Sequence, residues 1–306
     1  SMQKAYIMAL YELVKKDSNI ISLLSDSGTE YDELLKREFP DQCINLGIAE
    51  ENLVGVASGM AIGGLVPFVY TSGAFLAYRA FEFIRDDICF QNLNVKIVGM
   101  GSGLAWSTLG PSHHTTEDIS ALRALPNLTI LSPASPKEVG KAVMAAYEID
   151  GPVYIRLGMS KEKEIYTEDY NFIPGESIEI FDGTDYAVCA TGSIIEEAIE
   201  AVERFRESGK KIRLINVHTL KPLNRKDLIL KLKGIKKIAT VEEHNIFGGL
   251  GGILSEIIAE ESLQIKLIRI GLKDCFACGY GTQKDVRFAN KLDAQSIYCT
   301  LKQEFQ

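Results

Sequence analysis

Apolar residues recur along the chain in two alternating modes. Short runs rich in Val, Ile and Leu fit strands buried on both faces. Longer stretches with apolar residues every three or four positions fit amphipathic helices. In the first half the pattern predicts strands at 19–24, 42–46, 66–70, 95–100, 128–131 and 152–156. Helices are predicted between them at 3–15, 50–63, 75–91, 116–125 and 136–147. Residues 161–183 are polar, carry Pro174-Gly175 and hold no sustained period, which reads as a linker. The alternation then restarts, with strands predicted at 186–190, 212–217, 238–241 and 265–270 and helices at 194–207, 224–232, 250–260 and 293–304. The reading is an α/β protein of two domains, 1–160 and 184–306, each a mostly parallel sheet flanked by helices.

Length and composition agree: 306 residues, 46% hydrophobic and 24% charged, suffice for two cores. No apolar stretch is long enough for a membrane helix. The opening SMQKAYIMALYELVKK is amphipathic and mixed in charge, which argues against a signal peptide. Lys and Arg number 33 against 41 Asp and Glu, a net charge of −8, which disfavours nucleic acid as a partner. The six cysteines, most in or beside apolar runs, suggest reduced thiols in a cytoplasmic protein.

Several motifs invite a chemical reading. Gly99-Met100-Gly101-Ser102-Gly103 and Gly248-Gly249-Leu250-Gly251-Gly252 follow predicted strands, but neither completes G-x-G-x-x-G, so tight turns or close packing explain them. Cys275 and Cys278 form a lone C-x-x-C without the further ligands structural zinc needs. Glu50 opens a helix just after a strand and a glycine. That position suits a favourable dipole contact, and it is also where open α/β sheets bind ligands. His113 and His114 lie in a loop between strand and helix, open to either packing or ligand contact. Phe75, Tyr78, Phe81 and Phe83 recur at roughly helical spacing, a pattern more typical of core than of a cofactor pocket.

Taken in order, these segments resemble the transketolase family. The run Asn45-Leu46-Gly47-Ile48-Ala49-Glu50-Glu51-Asn52 is similar to its G-I-A-E segment. Gly110-Pro111-Ser112-His113, Glu117-Asp118-Ile119, Gly151-Pro152-Val153-Tyr154-Ile155-Arg156 and Thr240-Val241-Glu242-Glu243-His244 follow in the family's order. The resemblance implies a pyrimidine-binding domain followed by the family's C-terminal domain. The G-D-G signature of the domain that grips the cofactor's diphosphate through a metal has no match. The resemblance therefore implies the C-terminal subunit of a split transketolase. It would use thiamine diphosphate, with Mg²⁺ or a similar cation bound by an N-terminal partner subunit in an α2β2 assembly. The reaction implied moves a two-carbon ketol unit from a ketose to an aldose.

Residue by residue, Glu50 matches the glutamate that hydrogen-bonds the pyrimidine ring nitrogen. Phe75 matches the aromatic stacked on that ring, Tyr78 another wall of its pocket, and Asp26 an acid near the cofactor. His113 matches the histidine that contacts substrate hydroxyls and helps proton transfer, with His114 beside it in place of a usual Gln. Arg156 matches an arginine that binds substrate phosphate. Other positions depart from the family: Leu109 replaces an acid that reads a donor hydroxyl, a sugar-binding histidine falls near Gly101, a serine near Glu30, and a pocket aromatic at Ser72. Those losses imply an unusual or modified sugar. The nearest alternative is the β subunit of a 2-oxo acid dehydrogenase E1-like enzyme. A deoxyxylulose-phosphate synthase ranks lower because it is normally one long chain. A non-catalytic scaffold on the same fold is disfavoured by Glu50, His113 and the aromatic pair together.

Overall fold

The computed structural model describes residues 1–26, 30–159 and 162–305. Its strands in chain order are β1 (Ile20–Leu24), β2 (Cys43–Asn45), β3 (Val66–Ser72), β4 (Lys96–Met100), β5 (Thr129–Leu131), β6 (Val153–Leu157), β7 (Ile178–Phe181), β8 (Tyr186–Thr191), β9 (Ile212–Asn216), β10 (Thr219–Lys221), β11 (Lys237–Asn245) and β12 (Lys266–Leu272). They form two sheets, ordered β10-β5-β6-β4-β3-β1-β2 and β12-β11-β8-β9-β7. All neighbours run parallel except β10 against β5 and β7 against β9.

Every residue of β1, β4 and β6 is buried, as expected of a parallel sheet covered on both faces. Helices Met2–Val14 and Pro136–Glu148 cover one face of the first sheet, packing Leu10 and Val143 against Ile20 and Ile155. The second of these starts cleanly: the Ser135 side chain accepts from Glu138 N–H, and Pro136 occupies the first turn. Helix Glu50–Ile62 covers the other face. Its cluster runs from Leu53 through Leu122 into Ile215 and Leu250 of the second domain, so the two domains share one continuous core.

The structure departs from the sequence pattern in identifiable places. The expected regular helix over 75–91 is instead two π segments, Phe75–Arg79 and Ile84–Cys89, around a short α turn at Phe81–Phe83. Wider turns shift which residues share a face, so a 3.6-residue period misreads it. Strand β7 falls inside the stretch read as linker and joins the second sheet. Strand β10 leaves the second domain's sequence to extend the first domain's sheet. Helices Glu30–Glu38 and Gln283–Ala289 were not predicted: the first is too polar for an apolar stripe, and the second is only two turns long. The boundary read at 160/161 lies outside the described residues.

Candidate active site

The carboxyl ends of β1, β3 and β4 open into one cleft of about 400 Å³, the side on which open α/β sheets hold ligands. Ser25 and Asp26 follow β1, Thr71 and Ser72 end β3, and Met100 ends β4. Glu50, Phe75 and His113 complete the lining with Trp106, Leu109 and Met159. A larger hollow of about 590 Å³ on the second domain is lined by aliphatic side chains and lysines without an acid–base pair. Chemistry therefore points to the smaller cleft.

Glu50 is the first residue of its helix, where the dipole favours an anion. Its side chain is only 1% exposed and meets the Arg79 guanidinium at 2.6 Å. Ser25 donates to the other carboxylate oxygen at 3.3 Å. Arg79 also lies over the Phe75 ring, 4.8 Å from its centroid, so one cation touches both acid and aromatic. His113 packs edge-on against Phe75 at 5.0 Å, and its Nδ1 lies 3.0 Å from Ser112 Oγ. Asp26 holds a left-handed backbone at φ 49°, fixed by the Asn45 amide, which accepts from Asp26 N–H at 3.0 Å. Strained backbone of this kind concentrates at functional sites. The Ser72 hydroxyl is buried at the cleft without a hydrogen-bond partner.

The cleft thus gathers Asp26, Glu50, Phe75 and His113. It does not gather Tyr78, His114 or Arg156, and for each a competing contact explains why. Tyr78 sits after the wide π turn, and its hydroxyl donates to the Glu117 carboxylate at 2.9 Å while accepting from Glu117 N–H at 3.0 Å. His114 is buried away from the cleft, and that burial holds its pKa below the usual imidazole value. Arg156 is 2% exposed and committed to Asp118 at 2.8 Å and to the carbonyls of Thr115 and Glu243 at 2.8 and 3.1 Å. Burial would lower its pKa, but Asp118 outweighs it, and the guanidinium stays charged between the two domains. A role in binding substrate phosphate does not fit that position. The side chain of Glu30 lies outside the described residues.

Ser25, Arg79 and Trp106 escaped the sequence reading. Ser25 directly ends a strand, and Trp106 is the chain's single tryptophan, so both carried a weak signal. Arg79 carried none, because its contact with Glu50 depends on the π turn.

Other motifs resolve as packing. Gly249 opens helix Leu250–Glu260, where a Cβ would lie 2.0 Å from Glu242 Oε2. The Glu242 carboxylate fills that helix N-terminus, accepting from Leu250 and Gly251 N–H at 2.7 and 2.9 Å. Cys275 and Cys278 are exposed free thiols. Among the described residues no cluster of His, Cys, Asp or Glu is arranged to hold a metal, and no helix is long and apolar enough to cross a membrane.

Residues 1–162 match the family described as transketolase, pyrimidine binding domain, and residues 175–297 match transketolase, C-terminal domain. One of the two subunits of an apulose-4-phosphate transketolase from Actinobacillus succinogenes is 36% identical over 93% of this chain and 92% of its own length. The putative transketolase C-terminal section of Methanocaldococcus jannaschii is 34% identical over 100% of this chain and 96% of its own. A solved structure described as a split gene transketolase, inactive beta4 tetramer, superposes with a TM-score of 0.91 at 34% identity, covering 99% of this chain and 98% of that one.

Proposed function

The chain belongs to the transketolase family, and from that premise we propose that it is the C-terminal subunit of a split transketolase. In this reading it transfers a two-carbon ketol unit together with an N-terminal partner subunit. One observation carries the proposal: a nearly fully buried carboxylate, Glu50, faces the Phe75 ring across a cleft that also holds the unpartnered Ser72 hydroxyl. A flat heterocycle with ring nitrogens fits that donor and acceptor set. A diphosphate does not, since neither a metal cluster nor a cation lines the cleft among the described residues. The family implies thiamine diphosphate, and the partner would then hold its diphosphate through Mg²⁺ or a similar cation. The relative described as an inactive tetramer of one subunit type supports a required partner, and α2β2 is the assembly we propose.

When bound, thiamine diphosphate supplies the nucleophilic carbon and the electron sink for ketol transfer. Glu50 holds a proton at a pyrimidine ring nitrogen, kept in reach by its rigid place at the helix start. Phe75 supplies the face on which the ring rests. His113, edge-on to Phe75 and beside Ser112, gives and takes protons at substrate hydroxyls. Asp26 orients the far side of the ring system. Arg156, Tyr78 and His114 have no substrate role in this mechanism.

The test is reconstitution. The complex should transfer ketol units, and Glu50→Ala should lower turnover about 10²–10⁴-fold, the scale of lost acid–base catalysis. Unchanged turnover removes Glu50 from the mechanism. Decarboxylation of 2-oxo acids without ketol transfer would favour the dehydrogenase alternative. Calorimetry on the isolated chain with Mg²⁺ should detect no tight cofactor binding, and tight binding would contradict the divided site.

A further inference from the structure

One wall of the cleft is built from residues that the mechanism above does not use. Gly101 follows β4 in a left-handed conformation, φ 82°, and a Cβ there would lie 2.0 Å from Nε1 of Trp106. Glycine thus lets the indole rest against the main chain, and the ring takes the space near Gly101 where the family resemblance puts a polar sugar-binding side chain. Trp106 meets His113 edge-on at 6.3 Å, and His113 meets Phe75 at 5.0 Å, so the wall runs without a break from the cofactor face to the indole.

The mouth continues the same chemistry. Leu109 lines the cleft with 48% of its surface open to water, at the position the resemblance gives to a hydroxyl-reading acid. Met100 and Met159 close the floor. The charged residues among the described lining are Asp26 and Glu50, both anionic. The nearest described arginines are engaged: Arg79 pairs with Glu50, and Arg156 is buried on Asp118. A phosphate ester entering here would surrender water to an apolar wall between two carboxylates. A methyl or methylene end would instead bury against indole, leucine and methionine.

We propose that Trp106, seated on Gly101 and continued by Leu109, selects ketoses whose far end is uncharged and poor in hydroxyls, a terminal-deoxy sugar above all, over terminal phosphate esters. The proposal rests on the ketol-transfer reading, and its test separates the two. The probes are 5-deoxy-D-xylulose, D-xylulose and D-xylulose 5-phosphate with the reconstituted complex. The expected kcat/KM is at least tenfold higher for the deoxy sugar than for the ester, the discrimination a well-fitted apolar pocket supports. Trp106→Ala should lower the deoxy value about tenfold while leaving the ester nearly unchanged, and Trp106→Phe should restore most of the loss. Preference for the ester in the unaltered enzyme, or equal loss for both sugars in Trp106→Ala, overturns the proposal.

A second readout does not depend on turnover. Because the chain has one tryptophan, 5-fluorotryptophan incorporated into it gives a single ¹⁹F resonance, even with an unlabelled partner present. That resonance should shift at lower concentrations of the deoxy sugar than of the ester. The reverse order, or no shift with any of the three sugars, overturns the assignment of Trp106. Absence of ketol transfer from all three with the deoxy-first shift intact would overturn the proposed reaction and leave the pocket's preference standing.

Discussion

Glu50 and Arg79 are unequal partners. The carboxylate is 1% exposed, while the guanidinium that neutralises it is 44% exposed at 2.6 Å. Burying an anion is costly without a partner. Here the helix start, the Ser25 hydroxyl and Arg79 share that compensation. Arg79→Met would leave the acid with the weaker two. Because water screens the arginine, the expected loss is about 1–2 kcal/mol rather than the larger cost of breaking a fully buried pair. Adding Glu50→Gln should recover most of it, so a double-mutant cycle by denaturant unfolding should return a coupling near 1 kcal/mol. Zero coupling would make the contact incidental. Glu50 and His113 were legible in the sequence because each adjoins a strand end or a strand–helix loop, where position alone suggests ligand contact. Trp106 was not, since a lone indole in a loop of small residues has no period to read. Arg156 was legible as a motif member but not as a buried ion pair, because Asp118 lies far from it in sequence and meets it only through the fold.

At the level of elements, the polar stretch after β6 is held down by one acid. Glu138, buried in helix Pro136–Glu148, accepts from the Tyr166 and Tyr170 hydroxyls at 3.2 and 2.9 Å and from Ala134 N–H at 2.6 Å. The Asn216 side chain on β9 donates to the same carboxylate at 3.0 Å. Burial raises the Glu138 pKa, against the lowering effect of those four donors. The acid thus ties helix, connecting segment and second sheet together. Glu138→Ala would strip the acceptor from two tyrosines and an asparagine, at an expected cost of about 3 kcal/mol. Limited proteolysis should then cut within 162–177 many times faster, followed by mass spectrometry. An unchanged cleavage rate would mean the segment is held by something else. Composition reveals this stretch as a connection, but it conceals both the tether and β7. A four-residue strand alternating Ile-Glu-Ile-Phe is too short to stand out beside a Pro-Gly turn. The same shortness hid β10, whose pairing with β5 is a matter of topology rather than of local pattern.

Across the whole molecule the domains meet through charge as well as apolar core. Glu243 pairs with Arg287 at 2.8 Å, Arg156 with Asp118, and His244 lies 3.9 Å from both Asp118 and Glu242. Gly248 approaches Ser120 so closely that a Cβ would lie 2.6 Å from the serine Cβ, which pins the turn before helix Leu250–Glu260 onto the first domain. The glycine run was readable as close packing and the Thr-Val-Glu-Glu-His segment as a family feature. That the two face each other across this junction depends on both sheets being in place. Burial pushes the Glu242 pKa up to about 7 from the ordinary 4.5, outweighing the Leu250 and Gly251 N–H groups and the cations Arg156 and Arg269. The sign follows from proton counting. Below about pH 4.5 folded and unfolded chains both hold the proton, and the contribution is complete. Between 4.5 and 7 the unfolded chain has released it while the folded chain keeps it, so stability declines as pH rises, by about 3 kcal/mol in all. Glu242→Gln cannot ionise. The unfolding free energy of the unaltered chain minus that of the variant should therefore fall across this window and level off above it, in one transition because the core is shared. A difference that is flat with pH would mean that Glu242 is ionised in the folded protein throughout, and that the helix N-terminus and the arginines, not desolvation, govern the junction.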